Sequence, residues 1–306
     1  GASPMKANQI RQTVFPLLTA FIWGTSFVAQ SVSTDHIGPF TFNAARSIVA
    51  FLSLLALTFL LRQIRQRDFQ GAVEVPSAAR RELLLGGICC GAALTMASYF
   101  QQKGLETTTA GKSGFITALY IVIVPIAGVF LKKKAPRTVW LSVVLAVAGL
   151  YCLCITEGFS INEGDCYTMV CALCFSAHIL IIDHFTKKVD GVELSCVQFL
   201  VAAVLSAAGM LLTESPSWGA LRMCTWPILY AGFFSSGVGY TLQILAQKDS
   251  NPTVVSLLLS LESVFATVAG VILLHDQMSG REYVGCVFML AAVVLAQLPD
   301  RKRVFL

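Results

Sequence analysis

Charge is what this chain lacks. Asp, Glu, Lys and Arg make up 13% of its 306 residues, where a soluble domain carries about a quarter. So few charges cannot cover a water-facing surface, and those present cluster between long apolar runs. That pattern excludes a soluble globular domain and gives the net charge of +5 little bearing on nucleic acid. Also missing are a nucleophile–base–acid set, a dinucleotide fingerprint and converging metal ligands. Cys171 and Cys174 have redox or zinc spacing but no second pair. "TTTAGKSG" lacks the first glycine of a phosphate loop. Neither an enzyme, a cofactor nor a metal is expected. Cysteine is not scarce, at ten residues, but most lie inside apolar runs, where a thiol packs as a small apolar group.

What is present is hydrocarbon in helix-length blocks. About 20 apolar residues cross a bilayer as a helix, and unpaired backbone groups in lipid force helical structure. Ten such runs occur, at about 13–32, 39–61, 83–103, 111–131, 137–156, 164–183, 193–213, 226–247, 252–274 and 281–298. Residues 1–4, ahead of Met5, read as an expression scar, and the first run reads as an uncleaved span. With the N-terminus inside, 17 of the 22 Lys and Arg fall on inside segments and four (Lys103, Lys112, Arg222, Arg281) on outside ends; Arg46 lies within a span. This asymmetry supports ten spans with both termini cytoplasmic.

The two halves repeat. "AFIWGTSFV" (20–28) aligns with "ALCFSAHIL" (172–180) at an offset of 152, which also sets Arg46 opposite Gln198. "SYFQQK" (98–103) meets "QILAQK" (243–248) at 145, and "IAGVFL" (126–131) meets "VAGVIL" (268–273) at 142. Five spans is an odd number, so the second half would enter the membrane inverted. The expected fold is therefore an all-α membrane protein of ten transmembrane helices in two inverted five-helix repeats, 13–156 and 157–298. Short cytoplasmic segments, 1–12 and 299–306, would flank them. Such folds hold a solute near the midplane and alternate access to it.

"FIWGTSFV", "TTTAGKSGFITALYIVIVPIAGVFL" and "SLESVFATVAGVILLHDQMSGREYVG" resemble the first, fourth and ninth-to-tenth spans of EamA-type members of the drug/metabolite transporter superfamily. The resemblance covers about 13–298. It implies a carrier for amino acids, nucleotide-sugar-like solutes, vitamins, choline or cationic drugs. It also implies spans 1–4 and 6–9 around a central cavity, with spans 5 and 10 peripheral and available for a homodimer. One departure concerns the proline that often follows the ninth-span glutamate. Here Ser263 and Val264 follow it, so a proline kink is not expected.

Glu262 stands within "LLLSLESVFATVAGVILL" and is the repeat mate of Tyr120 at an offset of 142. Both fall near mid-span, where an ionisable group points to function; the competing reading is a structural glutamate bonded to a neighbouring helix. Arg46 could clamp a carboxylate through its planar fork or serve structurally, with Asn43 and Gln198 extending a polar face. His178 is a candidate for solute binding or proton transfer, as is Glu262. Trp23, Tyr99, Tyr120, Gln101, Tyr240 and Gln243 would supply an aromatic and amide lining, or else pack helices. Gly87, Gly91, Gly232 and Ser236 would let helices approach closely.

The expected function is movement of a small amphipathic metabolite, an amino acid preferred, across a bacterial cytoplasmic membrane. Glu262 would meet an amine and Arg46 a carboxylate. The alternative is a proton-coupled exporter of a cationic drug, vitamin or nucleobase-like solute. A membrane sensor that does not transport is the third reading. The partners are a small molecule and the lipid bilayer, not nucleic acid.

Overall fold

The computed structural model describes residues 4–68, 77–108, 110–155, 161–274, 277 and 279–298. Residues 1–3, residues 69–76 of the 62–82 loop and the basic C-terminal tail lie outside these. All regular structure among the described residues is helical. The elements are α1 (Pro4–Thr34), α2 (Pro39–Asp68), α3 (Ser77–Gly104), α4 (Ala110–Thr117), α5 (Tyr120–Phe130), α6 (Arg137–Cys154), α7 (Glu163–Phe185) and α8 (Gly191–Thr213). After α9 (Trp218–Met223) and α10 (Thr225–Leu229) comes a π-helix (Tyr230–Tyr240), then α11 (Thr241–Gln247), α12 (Pro252–Leu259), α13 (Glu262–Leu274) and α14 (Gly280–Gln297).

Local chemistry sets the helix starts. Asn162 and Asp165 form a capping box ahead of α7, and Ser279 and Glu282 form another ahead of α14. Asp190 accepts from Val192 and Glu193 at the start of α8. Asn251 caps α12, whose first residue is Pro252, a position where proline's missing N–H costs nothing. For α2 the cap comes from elsewhere: Glu214, just past α8, accepts from the Phe40 and Thr41 amides. At the end of α5, Lys132 takes φ 59 and the Lys133 amide returns to the Gly128 carbonyl, a Schellman-type stop.

Among the described residues, seven helical segments are long and apolar enough to cross a membrane: 8–34, 39–66, 78–104, 113–130, 163–185, 191–213 and 225–247. Shorter apolar helices cover 137–153 and 252–265, and α14 spans the last predicted run. The surface is apolar, with Phe59, Leu211, Leu212, Val144, Val204 and Val287 exposed. The interior is rich in buried Ser, Thr, Asn and Gln, many of whose hydroxyls bond back to the carbonyl four residues earlier, as Thr95, Thr168 and Ser176 do. A polar interior inside an apolar shell makes this an integral membrane protein.

The major packing pairs are α3 with α7, α2 with α8, α6 with α14, and α3 with α8, while α1 packs on α13 and the π-helix. Close approach depends on small residues. A Cβ at Gly149 would lie 2.9 Å from the Gly285 carbonyl, and one at Gly285 would lie 2.7 Å from that of Gly149.

Candidate functional site: two adjoining cavities

α1 contributes Trp23, Phe27 and Gln30 to one enclosed cavity, at i, i+4 and i+7 on a single helix face. Phe175 and Ile179 come from α7 with the same spacing, and Arg46 from α2. Gln101 of α3, Ser235 and Tyr240 of the π-helix and Gln243 of α11 join them. Thr117, Tyr120, Leu259 and Glu262 complete the wall. These side chains converge on one cleft between the helices.

Thr117 and Tyr120 flank a break in one predicted span; Leu259 and Glu262 flank a break in another. α4 stops at Thr117 and α5 starts at Tyr120; α12 stops at Leu259 and α13 starts at Glu262. The breaks share one hydrogen-bond pattern. Leu119 N donates to Ile116 O at 3.1 Å and Ile121 N to Ala118 O at 3.1 Å. Leu261 N donates to Leu258 O at 3.2 Å and Ser263 N to Ser260 O at 3.3 Å. Each is a tightened i→i+3 turn, and corresponding residues are 142 apart. No proline causes either: Pro125 lies downstream of the first, and the second has none. The interruption was not expected, because sequence reasoning had tied a kink to proline. It puts Glu262 in the first turn of α13, where the helix dipole favours a carboxylate.

Glu262 is 4% exposed and Arg46 is 5% exposed. No salt bridge joins them or pairs either with another charge among the described residues. Tyr120 is buried, and its side chain faces that of Glu262. The Arg46 guanidinium donates from Nε to Ser236 Oγ at 2.9 Å and from Nη2 to Ser235 Oγ at 3.1 Å. It also stands over the Phe42 ring, 5.5 Å from its centroid. Neutral hydroxyls orient a buried cation without cancelling its charge.

The π-helix organises the aromatic side. Its wider turns free carbonyls from the α ladder. Trp23 Nε1 donates to Ser235 O at 3.0 Å and Thr19 Oγ1 to Gly239 O at 3.1 Å. The Trp23 and Tyr240 rings lie 4.7 Å apart, centroid to centroid. Gly239 makes room for this, since a Cβ there would sit 2.7 Å from Trp23 Nε1.

A second, smaller cavity adjoins the first. Asn43, Ser47, Thr95, Ser98, Ser206 and Ser236 give it a polar wall, and Arg46 and Tyr240 line both cavities.

Among the sequence candidates, Trp23, Arg46, Gln101, Tyr120, Tyr240, Gln243 and Glu262 meet in the main cavity, and Asn43 lines the second. His178 lines neither: its Nε2 bonds Gln198 Oε1 at 3.0 Å, and both side chains are fully buried. Tyr99 also lines neither and stacks on Phe40, centroids 4.3 Å apart. Sequence reasoning missed Gln30, Thr117, Phe175, Ser235 and Ser206. The first of these lies two turns beyond Trp23 on the same face and bonds Gln101 at 3.1 Å, so helical spacing from Trp23 would have found it.

A helical membrane protein enclosing an amphipathic, oppositely charged cavity, with no metal cluster among the described residues, is built as a transporter. The chain belongs to the EamA-like transporter family, whose model matches residues 13–155 and again residues 162–298; members are transporters rather than enzymes. An uncharacterized transporter of Archaeoglobus fulgidus is 30% identical over 285 residues, 92% of this chain and 84% of that one. One from Synechocystis is 23% identical over 97% of this chain and 93% of its own length. A WAT1-related chloroplastic protein of Arabidopsis thaliana is 23% identical over 92% of this chain and 68% of its own length. One crystal structure shares the fold, with a TM-score of 0.76 at 18% identity, covering 95% of this chain and 98% of the other.

Proposed function

We propose that this protein moves a small amphipathic metabolite, an amino acid by preference, across a bacterial cytoplasmic membrane by alternating access. The observation that carries the proposal is the charge arrangement. Arg46 and Glu262 line one cavity, both buried and neither neutralised by the other. An α-amino acid brings a carboxylate for the first and an ammonium for the second. Trp23, Tyr120 and Tyr240 then meet its side chain.

Ten spans in two inverted repeats belong to the same proposal, with both termini cytoplasmic. Supporting the repeat, four pairs of repeat-related residues line the cavity: Trp23 and Phe175, Phe27 and Ile179, Thr117 and Leu259, Tyr120 and Glu262. The matching helix breaks point the same way. A homodimer through α6 and α14 would use their outward faces, around Val144, Val287 and Val294, because Gly149 and Gly285 are spent on each other. Light scattering in detergent measures that state.

The test is flux of radiolabelled amino acids into proteoliposomes. Wild-type protein transports at least one of them, and Arg46→Ala or Glu262→Gln cuts that flux at least roughly tenfold, the loss of one charge-assisted contact. Wild-type rates for every amino acid in both variants would reject the reading. The alternative, proton-coupled export of an organic cation, draws support from Glu262 having no cationic partner among the described residues. It requires flux that responds to an imposed pH gradient and is insensitive to Arg46→Ala.

A further inference from the structure

We propose that the second cavity is a small-anion site, built around Arg46 and adjoining the main solute cavity. Four helices converge on it. Asn43, Arg46 and Ser47 share one face of α2 at i, i+3 and i+4. Thr95 and Ser98 come from α3, Ser206 from α8 and Ser236 from the π-helix.

Asn43 is the second independent sign of a ligand. Its side chain is 2% exposed, it lines the cavity, and neither Oδ1 nor Nδ2 has a hydrogen-bond partner. A buried polar group left unpaired costs on the order of 1–3 kcal/mol. The repeat-related position, Ser195, carries no such cost, because its hydroxyl bonds Thr241 at 2.7 Å. Arg46 decides the sign of the ligand. A cation would be repelled by a guanidinium that has no carboxylate within salt-bridge distance among the described residues. An anion gains a charge-assisted contact from it, together with the carboxamide N–H of Asn43 and the hydroxyls of Ser47 and Ser206.

The shared chemistry is a monovalent anion of a few atoms. It has two sources: a free halide, or the carboxylate of a solute reaching past Arg46. The inference stands on Arg46 and Asn43, whatever the carrier's substrate proves to be.

The experiment is thermal unfolding of the purified full-length protein in detergent at constant ionic strength. Sodium gluconate, whose anion is too large for the cavity, is replaced stepwise by chloride, bromide or formate. Saturable stabilisation is expected, since a ligand that binds only the folded state raises its stability by mass action. Halide stabilisation assigns the site to a free ion; stabilisation by formate alone assigns it to a carboxylate. Asn43→Leu should weaken the apparent affinity at least roughly tenfold, the equivalent of about 1.4 kcal/mol. Ser206→Ala, a milder change, should weaken it measurably if Asn43→Leu does not fold. Bromide anomalous scattering from crystals should then place the ion between α2, α3, α8 and the π-helix. No anion-specific stabilisation, or full stabilisation retained in both variants, would overturn the proposal. Failure of amino acid flux alone would leave it standing.

Discussion

Across the main cavity, equivalent positions of the two halves carry unlike chemistry. Trp23 is matched by Phe175, Thr117 by Leu259, Tyr120 by Glu262, and Arg46 by Gln198, which is turned toward His178 instead. The first half holds the guanidinium and the second the carboxyl group. A strictly symmetric cavity would offer each end of a solute the same environment. This one is polarised by its side chains.

The helices that carry two matching glycine contacts differ: α3 is a regular α-helix, and its counterpart runs through the π-helix. In the first half, Gly91 of α3 packs on Val201 and the Gln198 carbonyl, with a virtual Cβ at 2.6 and 2.8 Å. In the second, Gly232 of the π-helix packs on Val49 and the Arg46 carbonyl, at 2.6 and 2.9 Å. Val201 and Val49, like Gln198 and Arg46, are 152 apart, so Gly91 and Gly232 are structural counterparts at an offset of 141. Farther along the same spans, the sequence match runs at 145. The second half therefore holds four extra residues between these points, and the π-helix, with more residues per turn, takes up part of them. Carrying the offset of 145 back along α3 would pair Gly87 with Gly232, one helical turn off for this reason. The same bulge brings Ser235 and Ser236 to Arg46, where α3 offers Leu94 and Thr95 to Gln198.

The largest effect should come from forcing the second half to copy the first. Gln198→Arg would bury a guanidinium beside His178. The Gln198 side chain bonds His178, and among the described residues no hydroxyl is bonded to it as Ser235 and Ser236 are to Arg46. An uncompensated buried charge costs roughly 3–5 kcal/mol. Thermal unfolding in detergent should show a large drop for Gln198→Arg, or no folded protein. A near wild-type midpoint would mean that the halves differ less in polarity than their side chains indicate.

The two glycine contacts provide an intermediate test. Gly91→Val and Gly232→Val each overpack against a valine and a backbone carbonyl, at about 1–3 kcal/mol. If the two sites are counterparts, their midpoints should fall by similar amounts. A fall at one site more than twice that at the other would break the equivalence and, with it, the account of the π-helix as taking up part of an insertion.

Legibility followed the physics of each feature. Apolar length and loop charge exposed the helices, because lipid constrains both. The offset of 142 made Tyr120 and Glu262 partners before any coordinates. It could not reveal that both begin half-helices, because no proline or glycine marks Ser260–Leu261. The π-helix was hidden as well: an insertion within a continuous apolar run leaves hydropathy unchanged. Tyr99 and His178 carry the same residue-type signals as Tyr240 and Glu262, and only side-chain direction separates those that reach the cavity from those that pack beside it.

The smallest effect tests how the π-helix holds the aromatic wall. Trp23→Phe converts that position to the residue of its mate, Phe175. It removes the indole N–H that donates to Ser235 O but keeps a ring near Tyr240. One lost hydrogen bond to a buried carbonyl costs about 1 kcal/mol, so the thermal midpoint should fall slightly and the protein should remain folded. Hydrogen exchange should localise the change, with faster exchange confined to amides of 230–243. Phe175→Trp, the reciprocal change, faces a regular helix in α3 that has no freed carbonyl to accept an indole N–H, and it should stabilise nothing. Equal responses to the two substitutions would show that the π-helix carbonyls play no part in fixing the aromatic wall.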